Sequence, residues 1–214
     1  MNGNTTKRIL MSLLGVLICA ISVGLFKHAA LGVDPFQTFM AGLDKLLPIQ
    51  FGTLYVIVNI ILLLFSLVFN RKMIGIATFI NLLFFGYITQ FSLGLFQMLI
   101  LNPSFVIRII LLLAAVVVMC FGSAFYMTAE MGVSTYDALA ITMADKWNLG
   151  QFKYIRIFTD VICVVLGCII FLAGGGNRSE IPSIAGIGTV VTAFCMGPLI
   201  DYFNRKVAKP FLNR

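Results

Sequence analysis

Gly32-Val33-Asp34-Pro35-Phe36-Gln37 occurs in a second version one hundred residues later, as Gly132-Val133-Ser134-Thr135-Tyr136-Asp137. Each copy ends an apolar run with glycine and opens a short amphipathic segment. In the first copy Asp34 suits the N-cap of a helix. Pro35 suits its first position, where proline's missing N–H is not needed. Phe36, Phe39, Met40 and Leu43 then fall on one face at helical spacing. These features predict a short helix over 34–46, stopped by Pro48. In the second copy Ser134 takes the capping position, a short helix runs over 134–146, and Trp147 suits an interfacial anchor.

Around these breaks the chain is 60% hydrophobic and 11% charged, with a mean hydropathy of +1.04. A soluble domain carries about 25% charged residues, so this chain has too little polar surface to coat a soluble globule. Continuous apolar runs, close to the ~20 residues that cross a bilayer, cover Ile9–Ala30, Phe51–Phe69, Met73–Leu101, Phe105–Met127, Gln151–Ala173 and Ile181–Phe203. The expected class is an all-α polytopic membrane protein with about six transmembrane helices. Alternating segments of about ten residues, as in a membrane β-barrel, are absent. The basic start and first apolar run read as a retained first span, because the stretch after it is repeated later in the chain.

The net charge of +7 sits mostly at span ends. With the N-terminus inside, the inner segments hold 11 of the 15 lysines and arginines and the outer ones 4. This places both termini in the cytoplasm and the chain in the bacterial plasma membrane as a multi-pass protein. No basic patch is interleaved with aromatics, so nucleic acid is not an expected partner. Cys19, Cys120, Cys163, Cys168 and Cys195 lie in apolar runs without metal-ligand spacing, and His28 is the single histidine. No metal or other cofactor is expected. With no nucleotide-binding loop and no serine-histidine-acid set, the chain does not read as an enzyme; a membrane enzyme acting on lipid is the weakest alternative.

The halves match beyond the breaks. Ala29, Gly32 and Val33 align with Ala129, Gly132 and Val133, and Gly75-Ile76-Ala77-Thr78 aligns with Gly186-Ile187-Gly188-Thr189 at an offset of 111. Gly86, Gln90 and Phe91 meet Gly197, Asp201 and Tyr202 at that same offset. The expected organisation is one membrane domain of two three-span repeats, 1–104 and 105–214. Three is odd, so the second repeat enters from the opposite side, giving an inverted pair, each with a short interrupted or re-entrant helix. These four motifs together resemble the YczE/YitT-type family of bacterial integral membrane proteins, over nearly the whole chain. That resemblance implies a membrane location and fold more firmly than an activity. In that family the first motif typically ends in an acidic residue; here the position is Gln37, whereas Asp137 keeps the acid in the second copy.

A charge inside a bilayer costs ~2.5–3.5 kcal/mol on insertion scales, so such charges are functional or paired. The candidate substrate-binding residues are Asp34, Gln37, Ser134, Tyr136 and Asp137, with Lys27, Glu130, Asn59 and Asp160 as supporting residues. Each has a plainer reading. Asp34 caps a helix, and Asp137 is an acid at a helix N-terminus. Asp160 pairs with Arg156 one turn earlier, and Asn59 and Asn81 are interhelical hydrogen-bonding residues. Gly186 and Gly188 read as close-packing positions. The function expected from this pattern is a small-solute transporter or permease with a polar site at the two breaks. The alternative is a non-transporting membrane subunit, either a substrate-binding component or a scaffold. The lipid bilayer and an unidentified small solute are the expected partners, and a homodimer or a membrane partner protein is left open.

Overall fold

A computed structural model describes residues 3–150 and 152–213. Gln151, expected to open the fifth span, lies outside the described residues. In chain order the helices are α1 Gly3–Ala29, α2 Pro35–Leu46, α3 Phe51–Phe69, α4 Ile76–Leu99, α5 Phe105–Thr128, α6 Thr135–Ile141, α7 Phe152–Ala173, α8 Ile181–Ile184, α9 Ile187–Phe203 and α10 Lys209–Asn213. Among the described residues there is no strand, and six helical stretches are long and apolar enough to cross a bilayer. The chain is therefore all-α and polytopic. The capping read from the two motifs holds: Asp34 accepts from the Gln37 N–H at 3.2 Å and Ser134 from the Asp137 N–H at 3.1 Å. The second short helix is shorter than expected, and a wider π turn, Thr142–Lys146, completes it.

The centre is the pair α1 and α5, which run antiparallel. Arg8 reaches the Ala129 carbonyl near one end of the pair, and Arg108 reaches those of Ala29 and Ala30 near the other. Nearer the Arg8 end, a Cβ on Gly15 would stand 2.6 Å from the Tyr126 nitrogen and 2.7 Å from the Gly122 oxygen. The two backbones touch there, which is how small residues bring membrane helices together without a hydrophobic driving force. Val16, Ala20, Val23, Leu112, Ala115 and Val116 fill the seam. Helix α4 closes the other side of α1, with Thr89 donating to the Ala20 carbonyl, and α9 lies along α5. On the outside, Leu13, Leu64, Phe84, Leu113, Val165 and Phe194 stand exposed, one from each long helix. An apolar surface on every side suits hydrocarbon and not water.

The short helices do not lie across the ends of the bundle. Helix α2 runs alongside α7 in the same direction, with Thr38 and Gly42 against Gly167 and Leu46 against Gly174. The α6 segment runs alongside α3, from Thr135 at Asn59 to Lys146 at the Phe69 carbonyl. Each short helix therefore packs lengthwise on a long helix of the other half.

The breaks are tied down reciprocally. Gly188 N–H donates to the Leu31 carbonyl at 2.7 Å, and Ala77 N–H donates to Met131 at 3.0 Å. Val33 N–H donates to Ile184 at 3.3 Å, and Val133 N–H donates to Met73 at 3.1 Å. Both pairs of bonds correspond under the sequence offsets of 100 and 111. The backbone torsions correspond too: φ is 50° at Ala30 and 53° at Glu130, 105° at Gly32 and 109° at Gly132. A break in apolar surroundings frees amides and carbonyls that need partners. Each break finds them at the glycine start of the last long helix of the other half.

This pairing corrects two boundaries. The sixth span was expected to be continuous from Ile181 to Phe203, but it breaks at Ala185–Gly186, where the first Gly-Val break docks. The third span begins at Ile76 and not at Met73, because the Met73 carbonyl and Gly75 receive the second break. The glycines at 186 and 188 are close-packing positions, as expected: a Cβ on either would strike backbone of the Leu31–Gly32 segment.

Candidate functional site

The N-terminal ends of α2 and α6 meet. The Phe36 and Tyr136 rings stack at 4.9 Å with an interplanar angle of 22°. Tyr136 is the centre of a layered arrangement, because the Arg156 guanidinium lies over its ring, 4.5 Å from the centroid. Such a contact adds roughly 0.5–2 kcal/mol depending on desolvation.

Around this stack the polar residues converge. Asp137 forms an ion pair with Arg156 through one carboxylate oxygen. Its other oxygen accepts from the Tyr126 hydroxyl at 2.8 Å and from the Ser134 hydroxyl at 2.7 Å. Asp160 accepts from the Tyr136 hydroxyl at 2.6 Å and pairs with Arg156 at 3.2 Å. One guanidinium thus holds two carboxylates, Asp137 on α6 and Asp160 on α7. The expected pairing of Arg156 with Asp160 along one helix is present but is half of a larger cluster. The Asp137, Asp160 and Arg156 side chains keep 21%, 20% and 32% of their exposure, so the cluster is only partly buried.

Asn59 sits on the other side, buried. Its side-chain oxygen accepts from Thr135 of α6, and its amide donates to the Tyr55 carbonyl at 2.8 Å. Tyr55 donates in turn to Asn81 at 3.1 Å, so both asparagines bridge helices as expected. Asp34 accepts from Gln37 N–H and lies within electrostatic range of Arg156 and Asp160. Gln37 is 2% exposed, and its side-chain oxygen has no hydrogen-bond partner among the described residues. Between α3 and α7, beside the stacked rings, lies an apolar pocket of about 120 Å³ lined by Phe36, Phe39, Val58, Tyr136, Leu139 and Leu166.

Of the sequence-derived candidates, Asp34, Gln37, Ser134, Tyr136, Asp137, Asn59 and Asp160 gather around the meeting point of the short helices. Glu130 does not join them: it is exposed and pairs with Arg8 at 2.9 Å. Lys27 lies with its ammonium 3.1 Å from the Phe51 ring centroid and forms no ion pair among the described residues. Trp147 packs edge-on against Phe65 and Phe69. The sequence reading missed Tyr126, Thr135 and Tyr55, and it gave Arg156 one partner where it has two. A tyrosine inside the apolar fourth span was a usable signal, because a buried hydroxyl needs a partner. Tyr55, inside the apolar second span, carried the same signal, whereas Thr135 carried none. Among the described residues no group of three His, Cys, Asp or Glu side chains is placed to hold a metal ion.

A model of a family of unknown function, DUF6198, matches residues 6–205. Among curated proteins, an uncharacterised protein YyaS of Bacillus subtilis is 23% identical over 94% of each chain. An uncharacterised protein of Haemophilus influenzae is 22% identical, over 95% of this chain and 86% of its own. An uncharacterised membrane protein YczE of Bacillus subtilis is 24% identical, over 88% of this chain and 81% of its own, in keeping with the resemblance drawn from the motifs. No solved structure matches.

Proposed function

This chain belongs to the family of unknown function DUF6198 and is an integral membrane protein; on that premise we propose that it is a small-solute transporter whose site lies where the two Gly-Val breaks meet. The observation that carries this reading is the meeting of the two short helices head to head at a charged cluster. Transporters with inverted repeats place interrupted helices in this way, with their N-termini at the substrate. The antiparallel α1–α5 pair and the reciprocal docking of the breaks support an inverted relation between the halves. A cluster holding one guanidinium and two carboxylates is costly in an apolar setting. A purely structural polar link would do its work with neutral groups, as Asn59 and Thr135 do.

The test needs no knowledge of the solute. In a chain cleared of its five native cysteines, the Ser134→Cys variant is exposed to a membrane-impermeant thiosulfonate in vesicles. A transporter site alternates, so the new thiol reacts from either face. Reaction from one face alone, or from neither, sinks transport and leaves the non-transporting subunit. Asp137→Asn, checked for retained folding, shifts the balance between the two faces, because Arg156 then holds Asp160 alone.

Orientation is tested separately. Both termini are cytoplasmic in this reading, and the membrane is the bacterial plasma membrane. A cysteine at position 45 is then labelled from outside and one at position 146 from inside. Labelling of both from the same side removes the inverted repeat.

A further inference from the structure

The two halves build corresponding sites with different contents. In the sequence Gln50-Phe51 corresponds to Gln151-Phe152, an offset of 101 that sets Tyr55 of α3 against Arg156 of α7 and Asn59 against Asp160. With the offset of 100 at the breaks, Phe26 stands for Tyr126, Asp34 for Ser134 and Gln37 for Asp137. In the second half the site is complete: Asp137 has a hydroxyl from Tyr126, another from Ser134, and the Arg156 cation. The first half lacks each of these donors at the matching position. Phe26 has no hydroxyl, and Tyr55 directs its own to Asn81. The Asp34 carboxylate accepts from the Gln37 backbone amide, and the neighbouring Gln37 side-chain oxygen is buried without a donor among the described residues.

Capping does not account for the Asp34 charge, because the second half caps the same helix position with neutral Ser134, and serine caps as well as aspartate. Nor do the other charges cancel it. Asp34, Asp137 and Asp160 are three negative groups, against Arg156 and Lys27, and Lys27 is turned onto Phe51 and also faces a fourth carboxylate, Asp44. Asp34 is followed two residues later by Phe36, whose ring walls the apolar pocket of about 120 Å³.

We infer that the first break binds the cationic head of a small organic cation, a guanidinium or ammonium, at Asp34 and Gln37, with its apolar part in the pocket between α3 and α7. Arg156 is the tethered counterpart of that ligand in the second half. The inference names the substrate class of the transport reading and rests on it for the word substrate, but not for binding.

The test uses the full chain in lipid nanodiscs, with n-butylguanidinium, guanidinium and neutral n-butylurea as probes and calorimetric titration as readout. n-Butylguanidinium binds and n-butylurea does not. Asp34→Asn, which keeps a capping side chain, weakens n-butylguanidinium at least tenfold, and Gln37→Glu strengthens it. Leu139→Trp fills the pocket and removes the advantage of n-butylguanidinium over guanidinium. Equal binding of the urea, or unchanged binding in Asp34→Asn, overturns the inference. So does no binding by the wild-type chain, even if the Ser134→Cys thiol reacts from both faces; transport then survives with another substrate. Specific binding with one-sided reactivity of that thiol keeps the site and removes transport.

Discussion

Arg156→Leu is expected to lower stability by about 3 kcal/mol, toward the low end of the cost of breaking a buried ion pair. The substitution removes the cation shared by Asp137 and Asp160 and leaves two carboxylates without a counterion beside Tyr136. Residual exposure of the three groups keeps the figure from rising further. The leucine also loses the contact with the ring face, so α6 and α7 part at the point where they are joined. Reversible unfolding in mixed micelles measures this. Asp137→Asn in the Arg156→Leu background should recover part of the loss, because one of the stranded charges is then gone. If the two losses simply add, Arg156 is not coupled to Asp137, and the cluster is not a unit.

Gly32→Ala is expected to cost about 3 kcal/mol or more, the sum of a backbone term and an overpacking term. At φ 105° a residue with a side chain is strained, and a Cβ there would stand 2.6 Å from the Gly186 nitrogen and 2.9 Å from the Thr189 nitrogen. Those atoms belong to the docking segment of the other half, so the substitution pushes the two halves apart. Gly175 supplies the control: its φ is also positive, 83°, but nothing lies within 4 Å of its Cβ position. Gly175→Ala therefore carries the backbone term alone, on the order of 1 kcal/mol. Equal losses in the two variants, measured by the same unfolding assay, would show that the break is not pressed against the other half.

The two predictions draw on different amounts of sequence information. Gly32 and Gly132 were visible as a pair from their motifs, and so were the caps at Asp34 and Ser134. The long helices were visible as runs: Phe51–Phe69 matches the expected span residue for residue, and α5 differs from it by one. The Asp137–Arg156–Tyr126 cluster was not visible. Its members are 11 and 19 residues from Asp137, on separate helices, and no local spacing relates them. The broken sixth span was hidden for a similar reason. Gly186 and Gly188 read as packing glycines in a continuous helix, and the cause of the break lies in Leu31–Val33, more than 150 residues earlier.

What the amino-acid order determined by itself was whatever depends on short-range chemistry. Apolar runs of bilayer length form helices that satisfy their own backbone in lipid. Glycine followed by a capping residue ends one helix and begins the next. The two copies of the Gly-Val motif were legible too, because finding them is a comparison of the chain with itself. Tertiary structure alone decided what the breaks do. Amides and carbonyls freed inside an apolar medium must find partners, and each break finds them in the other half, which carries α2 and α6 past their own long helices and brings their first turns together. That exchange makes Phe36 and Tyr136 neighbours, gathers Asp34, Asp137 and Asp160 around one arginine, and leaves Gln37 buried with an oxygen unmet among the described residues.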